Sequence, residues 1–460
     1  MLTGLLLAAA VSASDGGVPP AATAPGGLIP YPLDVRTLKN GLRVVMVPTG
    51  PGGLAAYFTL VRVGSRNEVE EGRTGFAHFF EHMMFRGTEA YPADKYGQAL
   101  QAAGVNNNAE TDDDFTLYTN YGPSDALPTV IAVEADRFQH LKYSVEGFQT
   151  EAKAVLGEYN KDVADPEFEL DEQMHKTAFL KSTYRHTTMG FAKDIKRMPE
   201  EYDYSLQFLK RWYVPGNTTI FVVGDFQPAQ VFAQIEKAYG GWSGKLSTVK
   251  IPKEPEQRKK SSVDVHWTTQ TLPRVAMAFH APSLGTDLKA AAIQNLLGPY
   301  LLGPASALYR SLVLDRHLAV NLSSWSGDHR EPYLFTLVAT AKDETALPQI
   351  EDAIDQAIAA LQKTGPDAKL LADVKSNQRY GLLMSFETPA ALAGALAMSS
   401  SSTGDPRTLD QLAKAMAAVT PDDVQAFAKK VLVPKNETVV VVRPAATVAG
   451  DGAGKKGGQR

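Results

Sequence analysis

Between Asn40 and Gly64 the chain reads as two strands. Gly41–Val47 follows an Asn40-Gly41 turn and is rich in valine, and Ala55–Val63 is a second apolar run closed by Gly64. Thr74 to Phe85 is then predicted to be a helix, ended by Arg86-Gly87. Gly147–Lys161 reads as another, with Ala152, Ala154, Val155 and Leu156 supplying its apolar contacts. The apolar segment Ala290–Leu308 is interrupted by Gly298-Pro299 and Gly303-Pro304. That pattern suits a buried helix followed by a turn better than a membrane span.

Comparing the two halves brings out an internal repeat. Val214-Pro215-Gly216-Asn217 runs into Thr218–Val223, and Val433-Pro434-Lys435-Asn436 runs into Glu437–Val442, at a constant offset of 219 residues. Each copy follows an amphipathic helix and ends in a β-rich run, as a duplicated unit would. The expected organisation is therefore two similar α+β domains, 34–247 and 262–445, joined by a polar Lys/Pro-rich linker at 248–261. Residues 14–33 are rich in Gly, Pro and Ala and read as a flexible leader, and 446–460 as a disordered tail. Leu5–Val11 is a short apolar run, and small residues lie at Val11-Ser12-Ala13. This has the form of a signal peptide, residues 1–13, cleaved after Ala13, although no Lys or Arg precedes it. Export follows as an expectation, with no transmembrane segment left in the mature chain.

Composition narrows the chemistry. The 460 residues are 44% hydrophobic and carry a net charge of −5, a globular balance that gives no sign of nucleic-acid binding. There is no cysteine, so disulfides, thiolate catalysis and Cys-ligated metals are excluded. Any metal must be held by His, Asp or Glu.

His78-Phe79-Phe80-Glu81-His82 is the strongest such signal. On a helix, residues four apart project from one face a single turn apart, so both imidazoles can reach one Zn²⁺. Glu81 adjoins them and can act as a base toward a zinc-activated water without being a ligand. The order is the inverse of the commoner His-Glu-x-x-His. By itself the motif is also compatible with two structural helix histidines and a solvent-facing Glu. Catalytic zinc needs a third protein ligand, and the helix expected at Gly147–Lys161 offers Glu151 and Glu158, seven apart on one face.

With Glu158 placed 76 residues after His82 and Glu151 seven before it, the pattern resembles the pitrilysin and mitochondrial-processing-peptidase family of inverted zincins. Three further segments carry the likeness: Gly104–Thr111 with its Asn108-Ala109-Glu110-Thr111, Glu134-Ala135-Asp136-Arg137-Phe138, and Tyr213–Asp225. It runs from about residue 36 to 443. The resemblance implies one zinc per chain, held by His78, His82 and Glu158. It implies Glu81 as general base and Glu151 as an outer carboxylate that orients a ligand. It implies an edge strand carrying Asn108 and Ala109 that takes unfolded peptide by strand addition. The implied architecture is α+β: two homologous domains, each a mostly antiparallel sheet packed against helices, forming one half-shell of a clamshell chamber.

One departure changes the expected assembly. Many relatives carry an Arg and a Tyr in the second domain that hold substrate and stabilise the oxyanion. Alignment on Leu312 and Leu318-Ala319 puts Val313 and Val320 at those positions, and neither can donate a hydrogen bond. The chain thus resembles the zinc-bearing subunit of the family's two-chain bacterial members. A heterodimer is expected, with a sister subunit supplying Arg and Tyr, in an export compartment, the bacterial periplasm. The alternative is a non-catalytic structural or peptide-binding subunit of the same fold.

Overall fold

The computed structural model describes residues 27–445. The expected signal segment, the leader up to residue 26 and the tail from 446 lie outside the described residues.

Two sheets organise the chain. The first contains β1 (Asp34–Thr37), β2 (Arg43–Pro48), β3 (Leu54–Val61), β4 (Asn106–Thr111), β5 (Thr116–Pro123) and β6 (Thr218–Gly224), in the order β1-β2-β6-β3-β5-β4. The second contains β7 (Ser261–His266), β8 (Arg274–Ala281), β9 (Ala319–Trp325), β10 (Tyr333–Ala341) and β11 (Glu437–Arg443), in the order β7-β11-β8-β10-β9. Leaving β1 aside, the orders match strand for strand. In each sheet one pair is parallel, β2 with β6 and β7 with β11, and the rest are antiparallel. β4 and β9 are the corresponding outer strands.

The repeated Pro-x-Asn has a physical reason. Asn217 donates from Nδ2 to the carbonyl of Trp212 at 3.0 Å, and Asn436 donates likewise to Val431 at 2.9 Å. Trp212 and Val431 end the helices Tyr202–Trp212 and Pro421–Val431, so each amide satisfies a carbonyl that the helix leaves open and turns the chain into β6 or β11.

Helices cover both faces of the first sheet. On one face Val44, Met46, Tyr57, Tyr118, Ile220 and Val222 pack against helices of the first half. On the other, Val45, Phe58, Leu60, Phe221 and Val223 pack against Leu392, Leu396 and Ala397 of helix Pro389–Thr403, which belongs to the second half. The reciprocal exchange occurs at the second sheet, where Ala276, Ala278, Val440 and Val442 meet Leu170, Met174 and Ala178 of helix Pro166–Ala178. Each sheet is apolar on both sides and borrows a helix from across the linker to bury the second side.

Expected element boundaries shift by a few residues. The first expected helix is Phe76–Met83 followed by a 3-10 turn, and the second is Val145–Asp162. The interrupted apolar run forms helix Leu288–Leu302, which absorbs Pro299 in its last turn. Among the described residues no helix is long and apolar enough to cross a membrane. One expectation is corrected. The leader was to stay flexible through residue 33, yet Ile29 is buried and the amides of Leu28 and Ile29 donate to Asp410 Oδ1 at 2.7 and 3.2 Å. An apolar side chain and a waiting carboxylate outweigh the Gly/Pro composition there.

Candidate active site

Helix Phe76–Met83 is held from its apolar side. Phe76, Phe79, Phe80 and Met83 are buried, and Phe80 stacks on Phe208 with ring centroids 5.2 Å apart. Its start is fixed by Glu68, whose two carboxylate oxygens accept the amides of Gly75 and Ala77 at 2.7 Å each. Gly75 has φ +89, and a side chain there would run into the Met189 carbonyl at 2.7 Å. Only glycine fits this entry to the helix. The remaining face presents His78, Glu81 and His82, with the two imidazole rings 4.8 Å apart and nearly perpendicular.

Helix Val145–Asp162 lies alongside. Ser144 caps it, accepting the Gly147 amide at 3.0 Å, and Phe148, Ala152, Val155 and Tyr159 form its buried stripe. Glu151 and Glu158 project beside that stripe toward the histidines. Glu158 Oε2 lies 3.2 Å from His82 Nε2 and 3.7 Å from His78 Nε2. One ligand atom from each of His78, His82 and Glu158 falls within 4.8 Å of the others. Glu151 Oε1 takes the far nitrogen of the same ring, His82 Nδ1, at 2.9 Å, and Arg86 pairs with its other oxygen.

Glu81 does not join the cluster. Its Oε2 accepts the Thr111 hydroxyl at 2.6 Å, which turns the carboxylate toward β4. β4 is the outer strand of its sheet, with Asn106, Asn107 and Asn108 exposed and Ala109 turned inward. The residues singled out in the sequence thus gather at one place. Val313 is partly buried beneath the second sheet, and Val320 is exposed on β9, the outer strand corresponding to β4.

The titratable groups of the cluster shift one another. Burial lowers His78 to about 4, with the neighbouring His82 charge adding to the effect. Burial also pulls His82 down, but hydrogen bonds to Glu151 and Glu158 outweigh it and hold that imidazole at about 9. The His82 hydrogen bond is the main influence lowering Glu158. Glu151 is lowered on balance: burial pushes it up, and the bond to His82 and the charge of Arg86 pull it down further. Glu81 is raised by burial against the pull of Thr111. Two converging ring nitrogens, a carboxylate oxygen and a surplus of negative groups fit a divalent metal of zinc type. A second cluster, Asp112, Asp113 and His329, has its histidine already engaged with Asp113 Oδ2 at 3.0 Å.

Three residues of the site carried no assigned role in the sequence reading: Glu68, Arg86 and Thr111. Only Thr111 left a local signal. Strand alternation puts it on the same face as Ala109, toward the histidine helix.

Likeness to known proteins gives the class, a peptidase family whose relatives include zinc proteases. Residues 43–191 match the family model described as insulinase (peptidase family M16), and residues 201–378 match the one described as peptidase M16 inactive domain. The chain belongs to peptidase family M16. It is 27% identical over 373 residues to the zinc protease PqqE of Helicobacter pylori, covering 78% of this chain and 82% of that one. It is 24% identical over 421 residues to a probable mitochondrial-processing peptidase subunit beta of Arabidopsis thaliana, covering 89% and 78%. Among solved structures, a protease from Helicobacter pylori superposes with a TM-score of 0.83 at 25% identity, over 90% of this chain and all of that one. The periplasmic protease PqqL from Escherichia coli superposes with a TM-score of 0.73 at 19% identity, over 90% of this chain and 48% of that one.

Proposed function

We propose that this chain is a zinc-dependent endopeptidase of unfolded peptides, with one zinc held by His78, His82 and Glu158. The observation that carries the reading is the convergence of His78 Nε2, His82 Nε2 and Glu158 Oε2 from two helices onto one point. Bound there, zinc supplies Lewis acidity that lowers the pKa of water and polarises a carbonyl. Glu81 accepts the proton of the attacking water and returns it to the leaving amine. Glu151 accepts from His82 Nδ1 and so fixes the ring's orientation, leaving the Nε2 lone pair free to ligate the metal. The outer edge of β4, at Asn108 and Ala109, pairs with an extended substrate through backbone hydrogen bonds.

Assembly and location belong to the same proposal. Val313 and Val320 offer no hydrogen bond to a developing oxyanion, which supports a heterodimer whose sister subunit brings an Arg and a Tyr. The apolar run and small residues before Ser14 support export to a bacterial periplasm.

The test is Glu81→Gln. Turnover of an unstructured peptide is expected to fall by roughly 10²-fold or more, while zinc stays at one per chain. Full activity in that variant removes Glu81 from the mechanism. A scaffold or peptide-binding subunit is the competing reading, and it predicts no cleavage by the unmodified chain even with its sister present.

A further inference from the structure

We propose that Thr111 is the positioning residue of the catalytic base: its hydroxyl holds one oxygen of Glu81 so that the other faces the reacting water. The inference rests on the reading of Glu81 given above and adds to it a residue outside the zinc motif.

The geometry is direct. Thr111 Oγ1 donates to Glu81 Oε2 at 2.6 Å, within the ordinary range for a hydroxyl on a carboxylate oxygen. Among the described residues no other side chain or amide bonds to the Glu81 carboxylate, so Oε1 keeps its lone pairs. Glu81 also lines the cleft of about 300 Å³ that it shares with His82, Phe85, Arg86 and Glu151. A terminal carboxylate torsion is broad and roughly two-fold, so a glutamate without a partner samples many orientations. Threonine is suited to restrict it. Its β-branched side chain is stiff at χ1, and its backbone is fixed by pairing of Thr111 with Thr116 on β5. The anchor therefore belongs to the sheet, while the base belongs to the histidine helix.

Its position in the chain matters too. Thr111 ends β4, the outer strand whose other residues, Asn108 and Ala109, are proposed to receive substrate. One strand would then place both the peptide and the base that acts on it, keeping them in register.

The test compares Thr111→Val, which keeps the shape and removes the donor, with Thr111→Ser, which keeps the donor. Zinc-loaded protein, combined with the sister subunit for the kinetic arm, is measured for steady-state turnover of an unstructured peptide, and on its own for the infrared carboxylate band of Glu81, identified as the difference against Glu81→Gln. Thr111→Val is expected to shift the band and to lower kcat roughly 10- to 100-fold, with KM within about twofold and zinc retained. Thr111→Ser is expected to restore both. A band unmoved in Thr111→Val overturns the proposal, and this arm needs no turnover. Loss of zinc together with a raised KM in Thr111→Val also overturns it, since that marks a merely structural role. An inactive Glu81→Gln beside a fully active Thr111→Val rejects this inference alone, whereas a fully active Glu81→Gln rejects the reading on which it rests.

Discussion

Glu151 Oε1 and His82 Nδ1 lie 2.9 Å apart, so the ring nitrogen turned away from the cluster is held by a buried carboxylate, itself paired with Arg86. Such an outer partner fixes both the ring orientation and the nitrogen that remains free. Glu151→Gln is expected to weaken zinc binding about 10- to 100-fold while leaving the fold intact. Competition against a fluorescent chelator measures the change. Unaltered affinity would show that His82 needs no charged orienting group.

Metal removal should act on stability as well as on turnover. A ligand bound only by the folded state stabilises it by about 2.7 kcal/mol at a hundredfold excess over its dissociation constant. Stripping the chain with a chelator is expected to lower its melting temperature, and added zinc to restore it. In Glu158→Ala, which removes the proposed ligand that lies outside the histidine helix, the same titration should raise the melting point little. A zinc response in that variant equal to the unmodified chain's would dismiss Glu158 as a ligand.

Glu68 governs the cluster from a distance. Both of its oxygens accept amides at the first turn of the histidine helix, at 2.7 Å. A glutamine offers one oxygen and turns an NH₂ group onto the remaining N–H. Glu68→Gln is expected to cost about 1–3 kcal/mol in urea unfolding and to weaken zinc binding, because the helix that carries His78 starts there. Unfolding that matches the unmodified chain would mean these amides find another partner.

What was legible in the sequence was whatever has a local period. Spacings of four and seven put His78 with His82, and Glu151 with Glu158, on single helix faces. The repeated Pro-x-Asn exposed the duplicated sheets because each asparagine caps the helix just before it. Contacts between segments far apart left no such trace. Glu68 and Ala77 are only 9 residues apart, but Leu28 with Asp410 spans nearly the whole chain. The exchange of helices between the two sheets was hidden for the same reason. An amphipathic helix shows that it has a buried face, not which sheet it covers.

A long-range polar contact near the site also sets a pH window. Asp113, two residues beyond Thr111, meets His329 of the second half at 3.0 Å, and the amide of Arg330 donates to Asp114 at 2.9 Å. Ser65 completes Asp113 at 2.6 Å, Tyr184 donates to Asp114, and His329 stacks on Tyr333 at 3.5 Å. Arg66 pairs with Glu331 close by. Burial pulls His329 down, yet its bond to Asp113 and the charges of Asp113, Asp114 and Asp112 hold it at about 9. Burial raises Asp113, and the same histidine brings it far below the usual carboxylate range. A histidine raised on folding contributes stability in full below its unfolded value, about 6.5, and loses it as pH rises through 9. An aspartate lowered on folding contributes above about 3.8 and loses it as pH falls further. Asp112 and Asp114, which burial raises, oppose the acid limb, so the alkaline limb is the cleaner one to read. His329→Gln leaves Asp113 buried without its cation and should cost about 3–5 kcal/mol near pH 6. Above pH 9 the unmodified chain loses that cation too, so the gap between the two should narrow sharply. Urea unfolding of both proteins from pH 6 to 10 measures it, and a gap that stays constant across the range would show that the pair contributes packing and not charge.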